Sequence, residues 1–139
     1  MKILALDIGD VWTGTAISDP MGIIAKPYKT TLSNVLTSFL EETLQTEKIN
    51  TIVVGYPKTM KGTESEQTKK TTLLVEQLKT TFPAVNFVLW DERLSSKRAD
   101  NLRHGAQSKE DKQASHSRAA AFILSSYLEY RHIHADNKG

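Results

Sequence analysis

The N-terminal part of the chain alternates short apolar runs with turn residues. The runs Ile3–Leu6 and Trp12–Ser18 lie on either side of a turn at Gly9-Asp10. Apolar and β-branched runs joined by a glycine-containing turn predict a β-hairpin. The segment Ile23–Ala25, bounded by glycine and proline, predicts a third short strand.

The pattern then changes to helical spacing. Ser33 suits the start of a helix. The apolar residues that recur behind it at helical spacing are Leu36, Phe39, Leu40 and Leu44. Thr63–Glu66 matches a capping box, and an apolar stripe follows it as far as Pro83. These features predict two helices.

The remaining elements complete a mixed domain. Thr51–Gly55 and Asn86–Trp90 are compact apolar runs that predict buried strands. Ser96–His104, followed by glycine, predicts a short helix, and a long final helix follows the polar loop Ala106–Lys112. The order of elements predicts an α/β domain with a mixed five-stranded sheet, in which an antiparallel meander precedes parallel strands and helices flank the sheet.

The composition fits one domain. At 139 residues with 39% hydrophobic residues, the chain is long enough for a single core and too short for two domains of ordinary size. We expect the domain to span residues 1–132 and the polar tail, 133–139, to fray. The sequence has no cysteine, which excludes disulfides and thiolate zinc sites. With no signal-peptide core and no apolar run of membrane-spanning length, we expect a cytoplasmic protein that does not contact a membrane.

The charge is nearly balanced, at +2 overall, which is weak support for a polyanionic partner. A local basic excess lies between residues 97 and 118. Its members are Lys97, Arg98, Arg103, Lys109, Lys112 and Arg118, against Asp100, Glu110 and Asp111. A phosphate-binding face and an ordinary solvated surface both fit this count.

Acidic residues follow two of the predicted strands. Asp7 ends the first strand, and Glu92 follows the last one, next to Asp91. If these strands are neighbours, the carboxylates lie at one sheet edge, where their repulsion is costly unless a cation lies between them. Oxygen ligands favour Mg2+ or Mn2+, and a pair of such ions can promote phosphodiester hydrolysis. A turn-forming aspartate and a surface ion-pair cluster are the alternative interpretations.

Four blocks of sequence occur together along the chain. They are Ala5–Gly9 with Gly14–Asp19, Val53–Thr63, Asp91–Ser96 and Ala119–Leu128. In their content, order and spacing they resemble the YqgF family, the Holliday-junction-resolvase-like proteins that are also described as nucleases of pre-16S rRNA. The resemblance covers nearly the whole chain, and the joint occurrence of the blocks is far more specific than any one of them.

The resemblance implies an RNase H-like fold and a metal-dependent nuclease that matures the 5′ end of pre-16S rRNA, with cleavage of branched DNA as the alternative. It implies that Asp7 and Glu92 bind two Mg2+ or Mn2+ ions, with Asp91 beside them in the catalytic set. The expected partner is nucleic acid, either pre-16S or other structured RNA or branched DNA. The protein is expected to be a monomer or a homodimer.

His116 is the main departure from the family pattern, which has an acid at this position. It shares a helical face with Ala120, Ile123 and Tyr127, which predicts that the imidazole points toward the sheet. As a third metal ligand or a proton carrier, a neutral imidazole would shift the preference of the site from Mg2+ toward Mn2+. The alternative is a structural histidine in a nucleic-acid-binding ribosome assembly factor with weakened catalysis.

Basic residues near the acids are candidate phosphate contacts. Arg93 adjoins Glu92, and its planar fork suits a carboxylate or a phosphate. Lys58 and Lys61 lie in the loop after the central strand, where a solvated surface role is the alternative. The further candidates, from the basic excess, are Arg98 and Arg118.

A different class of protein shares part of the first block. Asp7-Ile8-Gly9 with Gly14 and Thr15 also resembles the phosphate loop of ATP-dependent sugar kinases and actin-like enzymes. Those enzymes close two such domains around the nucleotide, and a chain of 139 residues supplies one. The length therefore argues against this class.

Overall fold

A computed structural model describes residues 1–56, 66–91 and 109–136. In chain order, the strands and helices are β1 (Lys2–Ile8), β2 (Trp12–Ser18), β3 (Ala25–Leu32), a single 3-10 turn (Ser33–Val35), α1 (Leu36–Glu47), β4 (Ile49–Tyr56), α2 (Glu66–Thr81), β5 (Asn86–Asp91) and α3 (Lys109–Asp136). No helix within these ranges is long and apolar enough to cross a membrane.

The strands form one mixed sheet in the order β3-β2-β1-β4-β5. The first three strands pair antiparallel, β4 joins β1 in parallel, and β5 joins β4 in parallel. This arrangement confirms the predicted five-stranded sheet with an antiparallel meander followed by parallel strands. It also makes β1 and β4 central strands, which explains why their sequences are apolar on both faces.

The first hairpin is closed by its turn and by a hydroxyl from the chain beyond β3. The Gly9 N–H donates to the Trp12 carbonyl at 3.0 Å, and the Ser33 hydroxyl donates to the Gly9 carbonyl at 2.6 Å. The Ser33 Oγ also lies 2.8 Å from the Thr13 Oγ1. Ser33 was expected to cap α1, and this was wrong. The helix begins after the 3-10 turn, with no side-chain cap, because the Ser33 hydroxyl is used by the hairpin.

The third strand begins later than the sequence predicts. Ile23 and Ile24 lie in the turn before β3 and not in the strand, because the Asp19 carboxylate accepts a hydrogen bond of 2.7 Å from each of their backbone N–H groups. The hydrogen bond from the Ile24 N–H is the largest cause of a lowered pKa for Asp19. The bonds from the Ile23 and Met21 N–H groups lower this pKa further.

The last helix is longer than expected. It starts at Lys109, inside the segment predicted as a polar loop, and continues to Asp136, within the predicted tail. The segment contains neither glycine nor proline, so nothing in its sequence interrupts a helix. The predicted short helix Ser96–His104 and most of the capping box Thr63–Glu66 lie outside the described residues.

The sheet separates two apolar layers. The layer under α1 and α2 contains Leu4, Leu6, Ile17, Leu36, Leu40, Ile49, Ile52, Val54, Val75 and Leu78. The layer under α3 contains Ile3, Ala5, Ala16, Val53, Ala120, Ile123, Leu124 and Leu128. Alternate residues of β1 therefore point to opposite layers, as strand geometry requires. We call the two sides the α1/α2 face and the α3 face.

One glycine sets how closely α3 approaches the sheet. A Cβ placed on Gly14 of β2 would collide with the backbone carbonyl of His116 and lie 2.7 Å from the Ser117 nitrogen. These obstacles are helix backbone, which cannot move aside as a flexible side chain can. Any larger residue at position 14 would therefore push the start of the helix away from the sheet.

We predict that Gly14→Ala lowers the free energy of unfolding by about 3 kcal/mol, the cost of forcing an extra methyl group into a filled space. Gly22→Ala is the matched control. Gly22 has φ +70°, and its added Cβ would meet only the Arg131 Nη1 at 3.7 Å. The cost there is conformational and about 1 kcal/mol. Urea unfolding of both variants measures the difference, and equal losses would contradict the close helix contact.

Candidate active site

Asp7 lies near the end of β1, at the centre of the sheet. Its partners in the neighbouring strands are Gly14 of β2 and Gly55 of β4. Because Ile3 and Ala5 belong to the α3 layer, strand alternation places the Asp7 side chain on the α3 face as well. Asp7 is partly buried.

The strand pairing arranges four residues in one row across the sheet. The row runs from Gly14 through Asp7 and Gly55 to Trp90 of β5. Adjacent strands lie about 4.8 Å apart, so the Cα atoms of Asp7 and Trp90 are separated by about 10 Å. Both immediate neighbours of Asp7 are glycines, so the strands beside it contribute no side chains that would crowd its carboxylate.

No positively charged side chain neutralises Asp7 within the described ranges. The ion pairs found there are Lys2–Glu47, Lys70–Asp10 and Lys79–Glu76, and none of them involves Asp7. A partly buried carboxylate without a basic partner loses hydration and gains no compensating attraction. Asp7 is thus electrostatically suited to receive a cation from solution.

His116 lies in the turn of α3 that rests on Gly14, the partner of Asp7 in β2. Its side chain is partly buried, while Ala120 and Ile123 on the same helical face are fully buried in the α3 layer. The structure therefore brings the backbone of α3 at His116 against β2, the strand next to the one that carries Asp7.

The second candidate acid on the described chain has a different orientation. Asp91 pairs with Tyr56 and ends β5, one position beyond the row that contains Asp7. Val88 and Trp90 pack in the α3 layer, so alternation turns the Asp91 side chain to the α1/α2 face. The structure brings Asp91 to the same sheet edge as Asp7, on the other side of the sheet.

Five of the other candidate residues fall outside the part of the chain that the structure describes. They are Glu92, Arg93, Lys58, Lys61 and Arg98. Within the described ranges, no group of three or more His, Cys, Asp or Glu side chains is arranged to hold a metal ion.

Arg118 occupies the side of α3 that faces β3. It lines a groove of about 280 Å³ together with Ala25, Pro27, Ala121, Phe122 and Ser125. The Arg118 Nε is buried and has no hydrogen-bond partner within the described ranges. An unsatisfied buried N–H of this kind is costly, and an acceptor that binds in the groove would satisfy it.

Lys70 is a basic residue near the site that sequence reasoning missed. Its Nζ lies 3.9 Å from the Asp10 Oδ1, at the tip of the hairpin that follows Asp7. Both side chains are well exposed, so the pair is weak and the ammonium group is free to turn to another anion. No local signal could have revealed this proximity, because the two residues are brought together only by the fold.

Comparison with known proteins identifies the family. The model of the family described as "RuvX: Holliday junction resolvase" matches residues 1–130. The chain belongs to the RuvX family. This result confirms the YqgF resemblance, since the two names denote the same family.

Individual RuvX relatives match over nearly their full length. A protein of Rubrobacter xylanophilus named "Putative pre-16S rRNA nuclease" is 36% identical to this chain over 129 residues, which cover 92% of each chain. A protein of the same name in Desulfitobacterium hafniense is 37% identical over 142 residues and covers 99% of each chain. A protein of the same name in Fusobacterium nucleatum is 36% identical, covering 94% of this chain and 98% of its own.

Solved structures confirm the RNase H-like fold of this RuvX protein. The RuvC protein of Thermus thermophilus in complex with a Holliday junction substrate aligns with a TM-score of 0.60 at 12% identity, covering 95% of this chain and 96% of RuvC. A second Thermus thermophilus RuvC structure aligns with a TM-score of 0.56 at 13% identity. At these identities the similarity concerns the fold alone.

A cleft at the other end of the RuvX sheet has different properties. Its volume is about 540 Å³, and its lining includes Lys2, Asp19, Lys26 and Glu47. The Lys2 Nζ donates to Glu47 at 2.8 Å and thereby lowers the pKa of Glu47. Lys2 is five residues from Asp7 on β1, a distance of about 17 Å. Asp19 and Glu47 are already engaged in structural bonds, so this cleft is a poorer candidate than the Asp7 edge.

Proposed function

We propose that this RuvX protein hydrolyses phosphodiester bonds at the Asp7 edge of the sheet and acts in 5′-end maturation of pre-16S rRNA. The observation that carries the proposal is the environment of Asp7, a partly buried carboxylate between two glycines with no basic partner in the described ranges. The names of its full-length relatives support pre-16S rRNA as the substrate.

Asp7, Glu92 and His116 would hold Mg2+ or Mn2+ at this edge. The fit rests on the described donors. Asp7 offers carboxylate oxygens that no basic side chain in the described ranges neutralises. The backbone contact of His116 with Gly14 holds α3 on β2, the strand that pairs with β1 at Asp7. Glu92 follows Asp91, the last residue of β5, directly in the sequence, and its place in this set rests on the family resemblance. Two such ions, when bound, would activate a water molecule and stabilise the leaving oxygen.

His116 would act as a neutral nitrogen ligand or carry a proton at the imidazole. Imidazole is a softer ligand than a carboxylate and brings no negative charge. The site with His116 would therefore favour Mn2+ over Mg2+. Asp91, which alternation turns to the α1/α2 face, would support Glu92 from behind the sheet edge instead of binding a metal ion.

Basic residues would bind the substrate backbone around these acids. Arg118 presents its unsatisfied Nε in the groove beside β3, where a phosphate oxygen is a suitable acceptor. Lys70 lies in α2, and its Nζ reaches Asp10 at the tip of the β1–β2 hairpin. The candidates outside the described residues would extend this set, and they are Lys58, Lys61, Arg93 and Arg98.

We predict that Asp7→Asn lowers the cleavage rate of a pre-16S RNA fragment by about 10³-fold, because loss of a metal ligand removes several kcal/mol of transition-state stabilisation. Asp10→Asn, at the exposed hairpin tip, is the matched control and should cleave at close to the parent rate. Asp91→Asn should lose less activity than Asp7→Asn. Cleavage by Asp7→Asn at the parent rate would refute the assignment.

A second candidate function is a nucleic-acid-binding factor in ribosome assembly with little or no catalysis. The observation that favours it is His116, which stands where the family resemblance places an acid. Such a factor would bind the same RNA through its basic residues without cleaving it.

Replacement of His116 by aspartate separates the two functions. In a nuclease, His116→Asp restores a third carboxylate, and we expect Mg2+-dependent cleavage to rise about tenfold while the preference for Mn2+ disappears. Asn50→Asp, at an exposed position at the other end of the sheet, adds negative charge away from the site and is the control. Cleavage assays on pre-16S RNA and on a four-way DNA junction give the readout. No cleavage of either substrate by parent or variant would support the assembly factor.

We predict that Arg118→Met weakens RNA binding without destabilising the protein. The substitution removes an unsatisfied buried donor, so the free energy of unfolding should stay the same or rise by up to about 1 kcal/mol. Loss of one phosphate contact should reduce the salt dependence of RNA affinity by about 0.7 in the log–log slope. Lys79→Met, on an exposed lysine paired with Glu76, is the control. An unchanged slope in Arg118→Met would exclude the phosphate contact.

A further inference from the structure

A group of rings connects the row of Asp7 with the end of α3. Trp90, in that row, contacts Tyr127 edge-on with ring centroids 5.6 Å apart and Tyr130 with centroids 5.3 Å apart. His134, one helical turn further, lies over Tyr130 with centroids 3.9 Å apart. We call these four residues, Trp90, Tyr127, Tyr130 and His134, the aromatic platform.

The inner half of the platform is structural. Trp90 and Tyr127 pack against the α3 layer, and the Trp90 Nε1 donates to the Ser126 Oγ at 3.3 Å. The outer half is exposed. Tyr130 has 46% of its surface accessible, and His134 is also exposed. Tyr130 and His134 therefore present aromatic surface to solvent that the core does not require.

One cationic side chain lies beside the exposed rings. Arg131 is exposed in the last turns of α3, next to the exposed acid Glu129 and the imidazoles of His132 and His134. The Arg131 guanidinium also lies 6.0 Å from the centre of the Tyr127 ring. Exposed rings beside cationic groups are the combination with which proteins bind single-stranded nucleic acid, through base stacking and phosphate contacts.

We propose that the aromatic platform stacks an unpaired base of the strand whose backbone lies at Asp7. The proposal rests on the nuclease function proposed above. Tyr130 lies fourteen residues beyond His116 on α3, about 21 Å along the helix, and stacked bases are spaced about 3.4 Å apart along a strand, so the base lies about six nucleotides from the phosphate at Asp7. Stacking requires a base released from its helix, so the platform selects RNA that is single-stranded next to the cleavage site.

Binding of an oligouridine 12-mer, measured at low salt in EDTA, tests the proposal without cleavage. We expect Tyr130→Ala to lower the affinity about tenfold, in line with the effect of removing one base-stacking ring. Tyr130→Phe keeps the ring and should bind like the parent, which excludes loss of the hydroxyl as the cause. Ile133→Ala, an exposed apolar truncation in the same helical turns, is the matched control and should also bind normally.

A spectroscopic readout locates the contact. The chain has two tryptophans, so Trp12→Phe leaves Trp90 as the single reporter. Oligouridine should quench Trp90 fluorescence, and a 12-mer of abasic nucleotides with the same phosphates should not. Equal affinity of Tyr130→Ala and Tyr130→Phe, with both variants folded by circular dichroism, would overturn the platform. Equal quenching by the abasic strand would overturn it as well.

The outcome is separable from that of the proposed function. If Asp7→Asn abolishes cleavage and Tyr130→Ala binds normally, the nuclease assignment stands and the platform is refuted. If Tyr130→Ala weakens binding in a protein that cleaves no RNA, the platform is supported and the catalytic assignment fails.

Discussion

The close packing of α3 on Gly14 is the contact on which the site depends. Because residue 14 has no side chain, the helix backbone at His116 and Ser117 lies directly against β2. Gly14 is also the strand partner of Asp7. One missing methyl group thus determines both how near the helix comes to the sheet and how near a helical side chain comes to the central carboxylate. A fold with a larger residue at this position could keep its core and still lose the site.

The electrostatics of the sheet edge follow from the same arrangement. The glycines on both sides of Asp7 place no side chain beside its carboxylate, and the three ion pairs of the described ranges lie elsewhere. Two cationic side chains are available to an anion: Lys70, weakly paired with Asp10 at the hairpin tip, and Arg118, whose buried Nε has no partner among the described residues, in the groove beside β3. Negative charge at the centre and available positive charge around it are the arrangement that metal-dependent cleavage of a polyanion requires.

Much of the fold could be predicted from sequence because its central strands are short apolar runs that can only be buried. The errors fall where a side chain forms a tertiary bond that local patterns do not encode. Ser33 looked like a helix cap and instead closes the hairpin, and Asp19 holds Ile23 and Ile24 out of β3. In the site, the direction of the His116 imidazole stays a prediction from helical spacing, and the structure shows that the helix backbone at His116 packs on Gly14. The orientation of Asp91 depends on the register of β5, and the nearness of Lys70 to Asp10 depends on the fold.

Paramagnetic broadening by Mn2+ tests the central claim most directly, because it locates the ion without relying on activity. In a titration of the ¹⁵N-labelled protein, the account predicts that the amide signals of Asp7, Gly14 and Gly55 broaden first, while those of Ser18 and Glu47, at the other end of the sheet, remain sharp. Broadening that begins at Ser18 and Glu47, or that spreads uniformly along the chain, would contradict a metal site at Asp7.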